Sequence, residues 1–113
     1  AWVMRSRPPF DHWDRKQLDR YIGGPLLAKW GDRYLVGGRQ RKNGKYVTSL
    51  YWFKDDQLHE FASLPSGGDN SYPGILILSP DHALISYYSS HEKDKDGKPI
   101  TAIYMADLNL KNK

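Results

Sequence analysis

Turn-forming dipeptides cut this chain into short pieces, and that constrains its fold more than any other feature. Gly31-Asp32, Asn43-Gly44, Asp55-Asp56, Ser66-Gly67-Gly68, Pro80-Asp81 and Asp96-Gly97 recur along the sequence. Gly, Asn and Asp tolerate the positive φ that tight turns require. Between them lie short apolar runs, several with period-2 alternation, which is the pattern of half-buried strands. The spacing predicts strands over residues 2–5, 26–30, 33–37, 46–53, 57–63, 74–78, 83–89 and 101–108. Residues 13–21 are the one stretch with helical spacing, from Leu18 and Tyr21, with Asp11 as its cap.

The strands repeat as a group. "PLLAKWGDRYLVGGR" and "SYPGILILSPDHALISYY" share one scheme, an apolar strand after a Pro-containing turn, an Asp turn, and a second strand ending in polar residues. A further strand follows each. Antiparallel sheets of about four strands repeating every 40–50 residues or so are the signature of propeller blades. The expected fold class is all-β, built of antiparallel β-propeller blades. Its units are a blade remnant over 1–21, a four-strand blade over 22–64 and a closing blade over 65–113. Two or three blades cannot close a ring, so unpaired edges and uncovered apolar surface are expected. Completion requires further blades of a longer chain or assembly of several copies, and the chain reads as the C-terminal part of a larger propeller. A free-standing small sandwich is the alternative architecture.

Composition narrows the functional classes. Eight Tyr, four Trp and three Phe in 113 residues suit β-structure and also sugar or base stacking. The net charge of +4 mildly favours an anionic partner. It is too dispersed for nucleic-acid binding, and the basic run Arg39, Arg41, Lys42 and Lys45 beside Asn43-Gly44 reads as a solvated hairpin tip. With no Cys there is no disulfide, thiol nucleophile or zinc–cysteine site. No apolar run has the roughly 20 residues of a membrane-spanning helix. No signal peptide is visible, and a start at Ala1 leaves secreted and periplasmic locations open. His12, His59, His82 and His91 lack ligand spacing, so no metal is expected. No P-loop, Rossmann glycine pattern or Ser-His-Asp arrangement suggests a cofactor or a hydrolytic triad.

The second half of the chain resembles the C-terminal part of the sialidase (neuraminidase) superfamily. The resemblance rests on "SYPGILILSPDHALISYYSSHE" and the closing strand "IYMADLNL", over roughly 40 residues. "GGPLLAKWGDRYLVGGR" and "WVMRSRPPFDHW" match the preceding units more loosely. It implies a six-bladed propeller whose axial pocket holds a sialic-acid-like sugar. In such a site arginines bind the carboxylate, a tyrosine is the nucleophile and an aspartate is the acid/base. By position, Tyr72 resembles the nucleophile, Arg39 a carboxylate-binding arginine, and Arg5 (less closely Arg7) the arginine before it. The guanidinium fork meets a carboxylate through two parallel hydrogen bonds, which Lys does not reproduce. A neutral phenol approaches an anomeric centre beside a carboxylate more readily than an anion does, and tyrosine-nucleophile sialidases depart from the two-carboxylate glycosidase pattern.

Asp69, His91 and Glu92 are further candidates for sugar contacts at the rim, and Trp13 beside Pro8-Pro9-Phe10 for a stacking platform. Trp2, Trp13, Trp30 and Trp52 read as core or blade-interface residues, the platform role of Trp13 being the alternative. Alternation sends Tyr87 and Tyr88 to opposite faces, so at least one packs in the core. Pro73 stands where the family usually has serine, and the Asp-box turn is absent. The expected partner is a sugar or glycoconjugate, with a non-catalytic propeller binding glycan or protein as the alternative.

Overall fold

The computed structural model describes residues 1–110, so the end of the unit expected over 65–113 lies outside the described residues. The described chain is all-β and antiparallel. Its strands are β1 (Trp2–Ser6), β2 (Trp13–Gln17), β3 (Gly23–Trp30), β4 (Arg33–Lys42), β5 (Lys45–Lys54), β6 (Gln57–Ser63), β7 (Ser71–Ser79), β8 (His82–Lys93) and β9 (Pro99–Asn109). They form three sheets, β1-β2, β3-β4-β5-β6 and β7-β8-β9, each in chain order.

The turns follow their sequence chemistry. Asn43 and Gly44 both take positive φ, 52° and 77°, and so do Asp55 and Asp56, 53° and 58°. Positive φ at both central residues defines the primed turn whose twist matches a hairpin.

The strands run further than the apolar pattern predicts. β4 continues to Lys42, past the nearly buried Gln40. β8 continues to Lys93, where Glu92 and Lys93 are exposed but pair with Ile100 and Pro99 of β9. Thr48, Ser49 and Ser89 are fully buried and Gln40 nearly so. The expected helix over 13–21 is corrected. Residues 13–17 form β2, paired with β1 from Trp2↔Gln17 to Ser6↔Trp13. Leu18 is the single apolar anchor there, packing under the second sheet, and one anchor offers no helical stripe to bury.

The second sheet is covered on both faces. Trp30, Leu35, Leu50 and Leu64 meet Ala83, Ile85 and Tyr87 of the third sheet. Each buried Leu or Ile side chain contributes about 1.5–3 kcal/mol. On the other face Val36, Tyr51 and Leu58 pack with Ile22, Leu18 and Phe53. Trp30 Nε1 donates to the Ser79 carbonyl at 3.1 Å, joining the end of β3 to the end of β7. Trp52 stacks on Phe61 beside this core. Trp2 and Trp13, in contrast, are each 53% exposed, because their hairpin has no sheet on its outer side.

Tyr87 faces the core and Tyr88 faces away from it. The outward face of the third sheet carries Leu76, Ile103 and Met105, all more than half exposed.

Candidate functional site

The leading strands of the second and third sheets meet at a polar seam. Ser71, fully buried, donates its hydroxyl to the Gly23 carbonyl at 2.7 Å and lies 3.0 Å from that of Gly24. Its Oγ accepts the Arg39 backbone N–H at 3.0 Å. Asn70, also fully buried, accepts from Thr48 Oγ1 at 2.6 Å and donates to the carbonyls of Tyr46 at 3.1 Å and Gly68 at 2.9 Å. These bonds hold the "SGGDNSY" loop onto β4 and β5. The same loop holds two consecutive residues at positive φ, Ser71 at 149° and Tyr72 at 52°. A tyrosine in that region is strained, which is characteristic of functional sites.

Arg39 sits at the centre. Its Nη1 donates to Asp69 Oδ1 at 3.4 Å and to the Asn70 carbonyl at 3.3 Å, and its Nη2 to the Tyr21 hydroxyl at 3.2 Å. The guanidinium carbon lies 5.6 Å from the Tyr46 ring centroid. Gly23 makes room for this arrangement: a Cβ there would lie 2.2 Å from the Tyr21 hydroxyl and 2.9 Å from Arg39 Nη2. The Tyr21 hydroxyl, followed by the charges around it, holds the guanidinium above its ordinary pKa, so it stays charged.

Tyr88 donates its hydroxyl to Asp69 Oδ1 at 2.5 Å. That bond pushes the phenol above its ordinary range, because the carboxylate favours the protonated form. The Tyr72 ring stacks on the Tyr88 ring with centroids 5.9 Å apart, and Tyr72 is 70% exposed. Arg39, Asp69 and Tyr72 therefore come together, joined by Tyr21, Tyr46 and Tyr88. Arg39 is not part of the solvated hairpin tip, which begins at Arg41.

The other candidates lie elsewhere. Arg5 pairs with Asp56 at 2.7 Å and its guanidinium lies 5.7 Å from the Phe53 ring. Phe53 is five residues along β5 from Thr48, the partner of Arg39, or about 17 Å at strand rise. The expectation that Arg5 and Arg39 hold one carboxylate is corrected on that ground. Arg5 instead borders a cleft of about 840 Å³ that also receives Arg7, Tyr34 and Phe53.

A register shift between Ser89 and Glu92 turns Glu92 to the side that carries His91. There Glu92 accepts the Tyr104 hydroxyl, and His91 packs on the Tyr104 ring and meets Ser89 Oγ through Nδ1. Tyr104 stacks on core-facing Tyr87, so His91 and Glu92 occupy the face opposite Tyr88. Trp13 Nε1 donates to the Phe10 carbonyl at 3.2 Å within its own hairpin. Among the described residues, no three His, Asp or Glu side chains converge as metal ligands do.

Sequence reasoning singled out Tyr88 only as a partner in alternation, and it missed Tyr21 and Tyr46. Parity with buried Tyr87 is the signal for Tyr88. Tyr21 and Tyr46 carry no local signal, since only the fold brings them to Arg39.

No family model, curated protein or solved structure matches this chain.

Proposed function

We propose that the Arg39–Tyr72 cluster is the sugar site of a sialidase-like glycoside hydrolase, built from blades of a six-bladed propeller. The observation that carries this reading is the strained, exposed Tyr72 stacked on Tyr88, whose hydroxyl shares Asp69 Oδ1 with the charged Arg39. The stacking of sheets face to face, with their leading strands side by side, supports the propeller arrangement.

Arg39 binds the carboxylate of an acidic sugar through its fork. Tyr72 Oη attacks the anomeric carbon, the glycosidic bond breaks, and water releases the sugar from the tyrosine. Protonation of the leaving group calls for a general acid, and deprotonation of Tyr72 for a general base such as a carboxylate, both beyond this cluster. Those come from further blades of a parent chain or from another copy.

A non-catalytic glycan-binding propeller is the second reading. One observation favours it: Asp69, the carboxylate of the cluster, is engaged by Tyr88 and Arg39 rather than by Tyr72.

Calorimetry with N-acetylneuraminic acid and its methyl ester tests the recognition. Binding of the acid, weakened at least tenfold in the ester and in Arg39→Lys, is the expected result. Equal binding of ester and acid sinks the acidic-sugar assignment. Turnover of an aryl sialoside that disappears in Tyr72→Phe while binding persists selects the enzyme. Binding without turnover once those further blades, or the other copies, are present selects the second reading.

A further inference from the structure

We infer that Asp69 makes this site selective for polyhydroxylated acids over bare carboxylates, an inference that rests on the acidic-sugar reading above. The observation is a carboxylate placed on the ligand-binding arginine with half its hydrogen-bonding capacity unused. Asp69 Oδ1 takes both the Tyr88 hydroxyl at 2.5 Å and Arg39 Nη1 at 3.4 Å. Asp69 Oδ2 has no hydrogen-bond partner among the described residues, and the side chain is 70% exposed. Of the five N–H donors of Arg39, Nε–H and one Nη2–H are likewise without a partner among the described residues. An open cationic donor and an open anionic acceptor therefore stand side by side.

That pairing discriminates. Any carboxylate arriving at Arg39 meets the like charge of Asp69 a few ångströms away, which weakens it several-fold or so in an exposed setting. A bare one has nothing to offset this. An acid that carries hydroxyls near its carboxylate donates one of them to Asp69 Oδ2. A hydrogen bond to a charged group contributes roughly tenfold in affinity. Sites built to bond a hydroxyl reject analogues that lack it. Tyr88 acts through Asp69 as a positioning residue. Its hydroxyl fixes one carboxylate oxygen, so the other is presented beside Arg39, and its ring stacks with Tyr72.

The test compares N-acetylneuraminic acid with cyclohexanecarboxylate, which offers a carboxylate on a six-membered ring without hydroxyls. The unsubstituted protein is expected to prefer the hydroxylated acid by about tenfold or more. In Asp69→Ala the hydroxylated acid binds more weakly and cyclohexanecarboxylate more tightly, so the ratio falls toward one. Tyr88→Phe lowers the ratio part of the way. A purely structural role would weaken both ligands in proportion and leave the ratio unmoved, and that result overturns the inference while the acidic-sugar reading stands. Should Asp69→Ala fail to fold, Asp69→Asn serves: it removes the charge, and cyclohexanecarboxylate is again expected to bind more tightly. Failure of both acids to bind the unsubstituted protein overturns the acidic-sugar reading and this inference together.

Discussion

Ser71 Oγ and the Gly23 carbonyl oxygen lie 2.7 Å apart in a buried hydrogen bond that spans 48 residues of chain. The same hydroxyl accepts from the Arg39 backbone, so one side chain ties β3, β4 and β7 together. Ser71→Ala leaves a buried carbonyl and a buried N–H without that partner. The expected loss is about 1–3 kcal/mol in urea unfolding. An unchanged midpoint would show that water replaces the serine without cost.

Gly38 adopts φ +155°, and a Cβ there would fall 2.5 Å from Ile22 Cγ2 and 2.9 Å from the Gly23 carbonyl oxygen. The backbone oxygen has little room to retreat. Gly38→Ala is therefore expected to cost about 3 kcal/mol or more. Gly44, at φ +77° with nothing within 4 Å of where a Cβ would stand, supplies the control. Gly44→Ala should cost only about 1 kcal/mol, the strain of a left-handed alanine. Equal losses at the two positions would refute the steric argument.

Tyr104 is pushed up to about 12, first by its hydrogen bond to Glu92. A phenol whose folded value exceeds its unfolded value, 10.0, adds stability that is complete below the unfolded value. That stability is lost as pH rises from 10 through the folded value. Spectrophotometric titration of tyrosinate should show Tyr51, Tyr87 and Tyr88 ionising above the ordinary range and Tyr104 latest, at about 12. In Glu92→Gln that late step should move back toward the ordinary tyrosine range; a titration curve identical to wild type would remove Glu92 as the cause.

Glu60 behaves in the opposite sense. Burial acts to raise its carboxyl, but hydrogen bonds from Lys42, at 2.6 Å, and from Gln40 outweigh it and bring the value below 4.5. The stability it adds is complete above the unfolded value and is lost as pH falls through the folded one. Thermal midpoints recorded downward from pH 5 should fall less steeply for Glu60→Gln than for wild type. Parallel acid limbs would rule out this contribution.

Most of the strand pattern is legible in the sequence. The turns at Asn43-Gly44 and Asp55-Asp56 are local chemistry, since φ is decided by the residue itself. Alternation correctly separates Tyr87 from Tyr88. The polar end of β4 is not legible, because Gln40 is buried through hydrogen bonds to partners distant in sequence. That of β8 is not legible either, because its exposed last residues are held by pairing with β9. Gln40 bonds Ser49 and Glu60, and Ser89 bonds Gly67. Periodicity reads apolar burial and is blind to polar groups that fold into a satisfied network.

The candidate site divides along the same line. Sequence by itself determined that the chain forms short antiparallel strands and that Arg39, Asp69 and Tyr72 belong to polar strand ends and a glycine-rich loop. Only the tertiary structure decided which of the chosen residues meet. It gathered Tyr21, Arg39, Asp69, Tyr72 and Tyr88 at the seam of two sheets and left Arg5 with Asp56 and Glu92 with Tyr104. The reason is physical. Turn and strand preferences act over a few residues, whereas the partner of a charged or hydroxyl group is set by how sheets pack and by a single register shift in β8.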